Sequence, residues 1–241
     1  MSGHAVIRAV FAVVLAAWVL APPASAASSS AASVDDIVAK HVAARGGLDR
    51  IRSVQSIRQK GRADAGGGRE ALVTREITRP AKTRFEFTVQ GVTSVYVSDG
   101  TQGWAMSPVD GEMTRQPLSA EVVAEAAEQA DLEGPLVDWK AKGHRVELVG
   151  HEVVEGRPAI HLRVTLASGA VRDEYLDAGS HLLVRSVATR HVRGRPVQIT
   201  TTFGDHKKTK GLVFPRRIEV EAAGRPNRLI VIVDELEVER S

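Results

Sequence analysis

The stretch GRPVQITTTFGDHKKTKGLVFPRRIEVEAAGR, residues 194–225, decides the fold because apolar and polar residues alternate through both of its halves. The first half places three apolar residues on one side of the chain: Val197, Ile199 and Phe203. The second half repeats the pattern with Phe214, Ile218 and Val220. A period of two is typical of a β-strand with one buried face. The stretch therefore predicts two antiparallel strands, joined by a basic turn, in a sheet with one face to bury.

The composition is that of an ordinary globular protein, since 43% of the 241 residues are hydrophobic and 25% are charged. A β-rich chain of this length is typically one domain. Cysteine is absent, which excludes a disulfide framework, a thiolate nucleophile and a cysteine metal site. The net charge of +3 is too small to indicate nucleic-acid binding without clustering. The densest cluster is interpreted as a solvated turn: Lys207, Lys208 and Lys210.

The first 26 residues are predicted to be a cleaved signal peptide. His4 and Arg8 precede an apolar run at residues 9–21, and Ala24-Ser25-Ala26 fits the small-x-small rule for cleavage. The run is too short and too rich in alanine for a membrane anchor. We expect export to the periplasm, a disordered linker at residues 27–33, and a single domain at residues 34–241 that does not span the membrane.

Helical segments interrupt a long series of predicted strands. Ser33 is a predicted N-cap for a helix that ends at Gly46-Gly47, and one more turn continues to residue 52. Ser119 caps a helix at residues 119–130, and an apolar turn then reaches Trp139. The predicted strands are 54–63, 70–79, 82–90, 92–98, 102–107, 145–154, 158–167, 170–177, 182–192, 195–206, 212–223 and 228–238. Short turns, including those at residues 65–68 and 193–194, indicate a curved antiparallel meander in a mainly β (α+β) fold.

No catalytic or metal-binding arrangement is recognisable in the sequence. No two histidines fall at metal-ligand spacing on one element. A hairpin could bring His151 and His161 close together, but two strand histidines are more typical of a surface. Gly66-Gly67-Gly68 is interpreted as a turn rather than a phosphate loop. Asp173 and Glu174 lie on opposite faces of a strand, so they cannot act as an acid/base pair. We therefore expect no enzyme activity, no metal and no cofactor.

The inner face of the sheet is predicted to hold an apolar ligand. A sheet of about twelve strands has to curl, and aromatic residues make up only 4% of the chain, which leaves space inside. Burial of apolar surface contributes about 25 cal/mol per Å² and needs no directional contacts. An apolar interior therefore favours a flexible acyl chain over a flat polar cofactor. A core packed by the protein's own side chains is the alternative. A cavity above roughly 300 Å³ would favour the ligand.

Several short motifs follow one another in a characteristic order. They are Ala44-Arg45-Gly46-Gly47-Leu48, Asp99-Gly100, Gly103-Trp104, DLEGPLVD at residues 131–138, Glu155-Gly156-Arg157-Pro158-Ala159, Tyr175-Leu176-Asp177 and Gly211-Leu212-Val213-Phe214-Pro215. In this order the chain resembles the outer-membrane lipoprotein-sorting-protein-like branch of the LolA/LolB-like superfamily. The resemblance implies an unclosed β-barrel of about 11–12 strands with a helical lid over a hydrophobic cavity.

The resemblance also implies a role. Members of the superfamily carry lipid-modified proteins or lipids through the periplasm, or sense them. In LolA carriers an arginine on an early strand bonds to the backbone of the lid and holds the cavity shut. Arg62 and Arg84 are the two candidates for this latch.

The leading hypothesis is a soluble, monomeric periplasmic carrier that binds lipid or lipoprotein acyl chains beneath lid segments at residues 34–52 and 119–139. The predicted lining consists of large apolar residues on the lid and the facing strands: Phe85, Phe87, Trp104, Met106, Val122, Val123, Leu136 and Trp139. Two alternatives stay open. One is a non-catalytic envelope module that binds another protein through a sheet edge or the basic turn, and the other is an enzyme with an unrecognised pocket.

Overall fold

The computed structural model describes residues 33–64, 70–109, 112–192, 195–225 and 228–241. The predicted signal peptide, residues 27–32 of the predicted linker, and the predicted turns at 65–68 and 193–194 lie outside the described residues.

The described chain contains three helices: α1 (Val34–Arg45), α2 (Leu48–Ser53) and α3 (Ala120–Gln129). Both predicted caps are confirmed. The Ser33 hydroxyl accepts a hydrogen bond from the Asp36 amide at 3.1 Å, and Ser119 caps α3 in the same way. Gly46 ends α1 with a φ of 120°, and a Cβ there would collide with the Gly211 carbonyl. Glycine is therefore required at this position both for its backbone conformation and for the close contact.

Thirteen strands form one antiparallel sheet in the described residues. They are β1 (Val54–Asp64), β2 (Glu70–Thr78), β3 (Lys82–Val89), β4 (Val92–Ser98), β5 (Gly103–Val109), β6 (Glu112–Pro117), β7 (Arg145–Val154), β8 (Arg157–Thr165), β9 (Val171–Asp177), β10 (Leu183–Val192), β11 (Arg195–Thr209), β12 (Leu212–Ala222) and β13 (Leu229–Arg240). The predicted fold, mainly β with an unclosed sheet, is confirmed. The strand that was not predicted is β6, because its sequence EMTRQP shows no apolar alternation.

The order of strands across the sheet is β6-β5-β4-β3-β2-β1-β13-β12-β11-β10-β9-β8-β7. The first and last strands of the chain, β1 and β13, pair at the centre. By contrast β6 and β7, which are consecutive in the chain, form the two opposite edges. Residues 118–144 therefore run from one edge of the sheet to the other, and we call them the crossing segment.

The strand register assigns every side chain to one of two faces, because cross-strand partners point the same way. Phe85 is paired with Arg75 on β2 and with Tyr96 on β4. The helices pack on this face, which we call the inner face. Arg84 and Trp104 have the opposite parity and lie on the outer face.

The main hydrophobic core lies where α1 meets the strands at one end of the sheet. It joins Ile37, Val38 and Leu136 to Val146, Ile160, Leu162, Val164, Leu166 and Leu176. A second core surrounds α2 and contains Ile51, Val54, Ile57, Val137, Leu212 and Val238. Each core includes one residue of the crossing segment, Leu136 or Val137. This part of the segment is therefore as firmly packed as the sheet itself.

Candidate binding site on the inner face

The second half of the crossing segment, residues 131–144, is fixed by ionic and backbone contacts as well as by packing. The Arg45 guanidinium donates to the carbonyl oxygens of Glu133 and Leu132, the latter at 3.2 Å. Arg79 Nη2 donates to Glu133 Oε1 at 3.0 Å, and Lys142 Nζ donates to Asp131 Oδ2 at 2.6 Å. Burial lowers the pKa of Arg45, and Asp131 and Glu133 oppose this effect. These contacts anchor the segment to α1 and to the end of β2.

The first half of the crossing segment, which contains α3, has fewer contacts. Val123 and Ala130 are its buried side chains, whereas Val122 is 38% exposed. Arg75 Nη2 donates to the carbonyl oxygen of Gln129 at 3.0 Å. Arg190 Nη1 donates to Glu128 Oε2 at 2.6 Å. Two arginines, one from β2 and one from β10, therefore hold the C-terminal turn of α3 on the inner face.

An aromatic cluster lies on the strands that α3 contacts, β3 and β4. The rings of Phe85 and Phe87 stack with centroids 6.4 Å apart, and Tyr96 lies 6.4 Å from Phe85. Both phenylalanines are only half-buried, and Tyr96 is 41% exposed. We call these three residues the aromatic trough. It is an apolar surface that α3 covers only in part.

A cavity of about 240 Å³ lies between the crossing segment, α1 and strands β9 to β12. Its apolar walls include Leu136, Leu183, Phe203 and Phe214. Its polar walls include His41, Arg45, Arg75, Glu174 and His206. Arg75 is also the cross-strand neighbour of Phe85, so the cavity and the aromatic trough meet at Arg75. The volume is below the range of roughly 300–1,000 Å³ that is usual for ligand pockets.

Burial shifts the pKa of five titratable groups of the cavity wall, among them His41 and Glu174. Loss of solvent and the charge of Arg45 lower the pKa of His41 to about 4, so His41 is neutral at pH 7. Its Nδ1 then donates to the His181 carbonyl at 2.8 Å. Burial raises the pKa of Glu174, although Arg172 and Ser186 oppose this shift. Neither residue was predicted from the sequence as part of the site. The one available signal was the strand alternation that places Glu174 on the opposite face from Asp173.

The eight predicted lining residues do not converge on one space. Phe85, Phe87 and Val123 lie between the sheet and α3, Val122 is partly exposed on α3, and Leu136 lines the cavity. Trp139 lines a separate groove of about 580 Å³ between α1 and residues 137–141. Trp104 and Met106 are on the outer face, where Arg115 lies 4.7 Å from the Trp104 ring. Their parity is set by pairing with Val97 and Val95, which places them away from any site on the inner face.

The two predicted latch arginines also lie on the outer face. Arg62 donates to both carboxylate oxygens of Asp234, at 3.0 and 3.1 Å, and Arg84 is paired with Glu86. Neither has a hydrogen bond to the crossing segment among the described contacts. Two strand arginines reach this segment, Arg75 from β2 and Arg190 from β10. Of the two, Arg75 lies on an early strand, and its odd position on β2 gives it the inward parity.

Two further features of the described residues bear on the alternatives. The two ring nitrogens of His161 are hydrogen-bonded, Nδ1 to Glu152 at 2.7 Å and Nε2 to Asp173 at 2.9 Å. Among the described residues, no group of three or more His, Asp or Glu side chains is arranged to hold a metal ion. In the basic turn, Lys207 pairs with Asp205 at 3.0 Å and Lys210 donates to the Val238 carbonyl at 2.8 Å. These internal contacts weaken the case for the turn as a partner surface.

Comparison with known proteins rests on structure, because no family model and no curated protein matches the sequence. A LolA superfamily protein from Nitrosomonas europaea aligns with a TM-score of 0.53 at 14% identity, covering 88% of this chain and 96% of that chain. A putative outer membrane lipoprotein-sorting protein domain from Vibrio parahaemolyticus aligns with a TM-score of 0.52 at 12% identity, over 86% and 94%. A DUF1329 family protein from Desulfovibrio piger aligns with a TM-score of 0.54 at 14% identity, covering 86% of this chain and 93% of that chain.

These likenesses concern the fold. In the part of the chain that the structure describes, no helix has the length and hydrophobicity needed to span a bilayer. The predicted resemblance is confirmed at the level of architecture: the chain has the fold shared by LolA superfamily proteins and outer-membrane lipoprotein-sorting-protein domains.

Proposed function

We propose that the protein is an exported, non-enzymatic binding protein for the acyl chains of lipids or lipoproteins, with α3 as the movable part of its lid. The observation that supports this proposal most directly is the partial cover of the aromatic trough by a helix that two arginines hold in place. We propose that Arg75 acts as the latch, because it bonds to the end of α3 and lies where the trough meets the cavity.

The ligand requires the lid to open, because the cavity of about 240 Å³ is too small for a long acyl chain. The energies allow this opening. Burying a chain of about 15 methylene groups contributes on the order of 12 kcal/mol at about 0.8 kcal/mol each. Breaking a hydrogen bond to a charged group costs about 1.5–3 kcal/mol. The gain from the ligand therefore exceeds the loss of the two arginine contacts of α3.

The place of action follows from the predicted signal peptide at residues 1–26. We propose that the mature domain, residues 34–241, works in the periplasm as a monomer and passes its cargo between membranes. N-terminal sequencing of the exported protein checks the cleavage after Ala26, and sedimentation analysis checks the monomer.

Binding of a dansyl-labelled fatty acid tests the carrier proposal and the latch together. If Arg75 stabilises the closed lid, Arg75→Leu increases the competent fraction and raises the affinity about tenfold. Arg84→Leu is the matched control, since it removes a strand arginine from the outer face and leaves the affinity unchanged. An affinity that is equal or lower in Arg75→Leu contradicts the latch. No binding by the wild-type protein contradicts the carrier proposal itself.

A cross-link provides the converse test, because the chain has no native cysteine. Glu128→Cys and Arg190→Cys replace an ion pair between α3 and β10. A short bismaleimide that joins the two thiols locks α3 on the sheet and abolishes fatty-acid binding. The same double variant without cross-linker binds at least as well as wild type. Undiminished binding after complete cross-linking shows that the ligand lies elsewhere.

A further inference from the structure

The wall of the cavity of about 240 Å³ carries an excess of positive charge. Two arginines line it, Arg45 and Arg75. Neither forms an ion pair with a described residue, and both donate to backbone carbonyls instead. Each acid that lines the cavity is paired with a cation outside the wall: Glu174 with Arg172, Asp131 with Lys142, and Glu133 with Arg79. The acids and their partners cancel, so the charges of Arg45 and Arg75 remain.

Both arginines keep N–H groups that a ligand can reach. Arg45 Nε, and Nε and Nη1 of Arg75, have no hydrogen-bond partner among the described residues. None of these atoms is among the buried nitrogens without a partner, which belong to Arg172, Arg185 and Arg216. They therefore have accessible surface, and the residues that carry them line the cavity. Since buried charges are normally paired, these two cations lack a counterion that a ligand could supply.

The polarity of the site orients an amphiphile. The aromatic trough is apolar and suits the acyl chain, whereas the polar wall next to α1, with His41 and Arg45, suits the head. Arg75 lies where the two spaces meet and bonds to the end of α3, so the chain passes it on the way to the trough. Arg45 is therefore the cation that remains for the head.

Charge decides which head suits Arg45. Burial lowers the pKa of Arg45, because the protonated guanidinium has lost solvent. An anionic head returns a counterion and adds Coulomb attraction to the hydrogen bond, whereas a neutral head supplies the hydrogen bond alone. An ammonium head is repelled by the excess charge. The charge of Glu174 does not exclude an anion, since Arg172 Nε lies 2.5 Å from its carboxylate and burial raises its pKa.

We propose that the cavity selects acyl ligands with an anionic head, a carboxylate or a phosphate group, which binds Arg45 while the chain extends past Arg75 into the aromatic trough. This inference rests on the proposed function, since it names the ligand class of the same site. The ligand then lies with its charge at the closed end of the site and its methyl end beneath α3.

The test is competition against the dansyl-labelled fatty acid by sixteen-carbon probes that differ in the head alone: palmitate, hexadecyl phosphate, hexadecanol and hexadecylamine. At least one of the two anions displaces the label at about tenfold lower concentration than the neutral alcohol, and the amine is the weakest. The better of the two anions identifies the head as a carboxylate or a phosphate.

Substitution of Arg45 assigns the preference to this residue. Arg45→Gln removes the charge but keeps an amide donor for the carbonyls of the crossing segment, and the preference falls from about tenfold to below twofold. Arg45→Lys keeps the charge and retains the preference. Arg79→Gln is the matched control and also retains it, because Arg79 bonds to the crossing segment through Glu133 but does not line the cavity. A merely structural role of Arg45 would weaken all four probes together and leave their ratio unchanged.

A measurement on the wild-type protein serves if Arg45→Gln does not fold. In palmitate labelled with 13C at the carboxyl carbon, the chemical shift of the bound ligand reports whether the carboxyl group is ionised. Beside Arg45 it stays ionised from pH 8 to pH 5, since a neighbouring positive charge lowers the pKa of a carboxyl group. A bound carboxyl group that titrates in this interval overturns the contact with Arg45.

Each outcome separates the two proposals. Equal displacement by anionic and neutral probes overturns the anionic head and leaves the carrier function standing. Strongest displacement by hexadecylamine also overturns the anionic head, as does a preference that persists undiminished in Arg45→Gln. Failure of every probe, including the labelled fatty acid, overturns the proposed function.

Discussion

The inner face of the sheet is covered differently at its two ends. Beneath α1 the apolar packing is close: Ile37 is 2% exposed, and Leu162 and Val164 on the facing strand are fully buried. Beneath α3 the facing aromatic side chains are only half-buried, and Tyr96 is 41% exposed. The same sheet thus carries a close-packed core at one end and a loosely covered apolar surface at the other.

The two covers differ in the kind of interaction that holds them. Apolar burial holds α1, and lifting it would expose the whole core cluster to water. In contrast, α3 is held by hydrogen bonds from Arg75 and Arg190 to its C-terminal turn and by only two buried side chains, Val123 and Ala130. The low-energy opening of this molecule is therefore expected at α3. The two segments predicted from the sequence as a lid are not equivalent.

Truncating one buried residue in α1 and one in α3 should give the largest difference between the two covers, measured as loss of unfolding free energy. Ile37→Ala, in α1, is expected to lower the free energy of unfolding by about 3 kcal/mol, since it leaves a cavity in a close-packed core. Val123→Ala, at the buried position of α3, should cost less than about 1 kcal/mol because its surroundings can relax. Urea denaturation of both variants measures the two values. Equal losses would mean that α3 is packed as firmly as α1.

Acid should weaken the α1 end specifically, because His41 is buried there as a neutral imidazole. Its pKa is about 4 in the folded protein, against 6.5 for a histidine in the unfolded chain. A lowered histidine pKa means that the unfolded chain binds the extra proton, so the contribution is present above pH 6.5 and is lost as the pH falls towards 4. The loss between pH 7 and pH 4 is about 3 kcal/mol.

The measurement is the pH dependence of unfolding in wild type and in His41→Gln, which keeps a donor for the His181 carbonyl. Burial also lowers the pKa of His144 and His206, and both proteins share those losses. The difference between the two curves therefore isolates His41. A constant difference from pH 7 to pH 4 contradicts the assignment.

Loss of the Arg75 hydrogen bond should weaken the attachment of α3 alone. The expected change in free energy is smaller than those predicted for Ile37→Ala and for acid. Arg75→Leu is expected to lower the free energy of local opening of α3 by about 1.5 kcal/mol, which accelerates amide exchange there about tenfold. The amides of α1 keep their wild-type protection. Hydrogen exchange followed by mass spectrometry separates the two helices. Equal acceleration in both would show that the covers open as one unit.

Local patterns were sufficient to predict most of the fold. The alternation of Val197, Ile199 and Phe203 fixes a strand, and Ser33 and Ser119 begin helices because their hydroxyl groups accept from the first free amides. The pairing of β1 with β13 was not predictable in this way. It joins residues about 180 positions apart, such as Val54 and Arg240, and no local signal records such a contact.

The site was harder to predict than the fold because it depends on parity. A strand sequence shows which residues share a face, but the register of each hairpin decides which faces of neighbouring strands coincide. Phe85 and Phe87 were placed on the correct strand face together, whereas Trp104 and Met106 fall on the opposite face of the sheet. The latch candidates failed for the same reason: Arg62 and Arg84 point to the outer face of the sheet, whereas Arg75 points to the inner face.

The smallest expected effect concerns those two outer-face arginines. Arg62 and Arg84 form ion pairs with Asp234 and Glu86, and all four side chains are substantially exposed. Surface ion pairs contribute about 0–1 kcal/mol. Arg62→Leu and Arg84→Leu should therefore leave both the unfolding midpoint in urea and the exchange of α3 unchanged. Faster exchange of α3 in either variant, at a rate matching Arg75→Leu, would return the latch to the outer face and remove the contrast between the two covers.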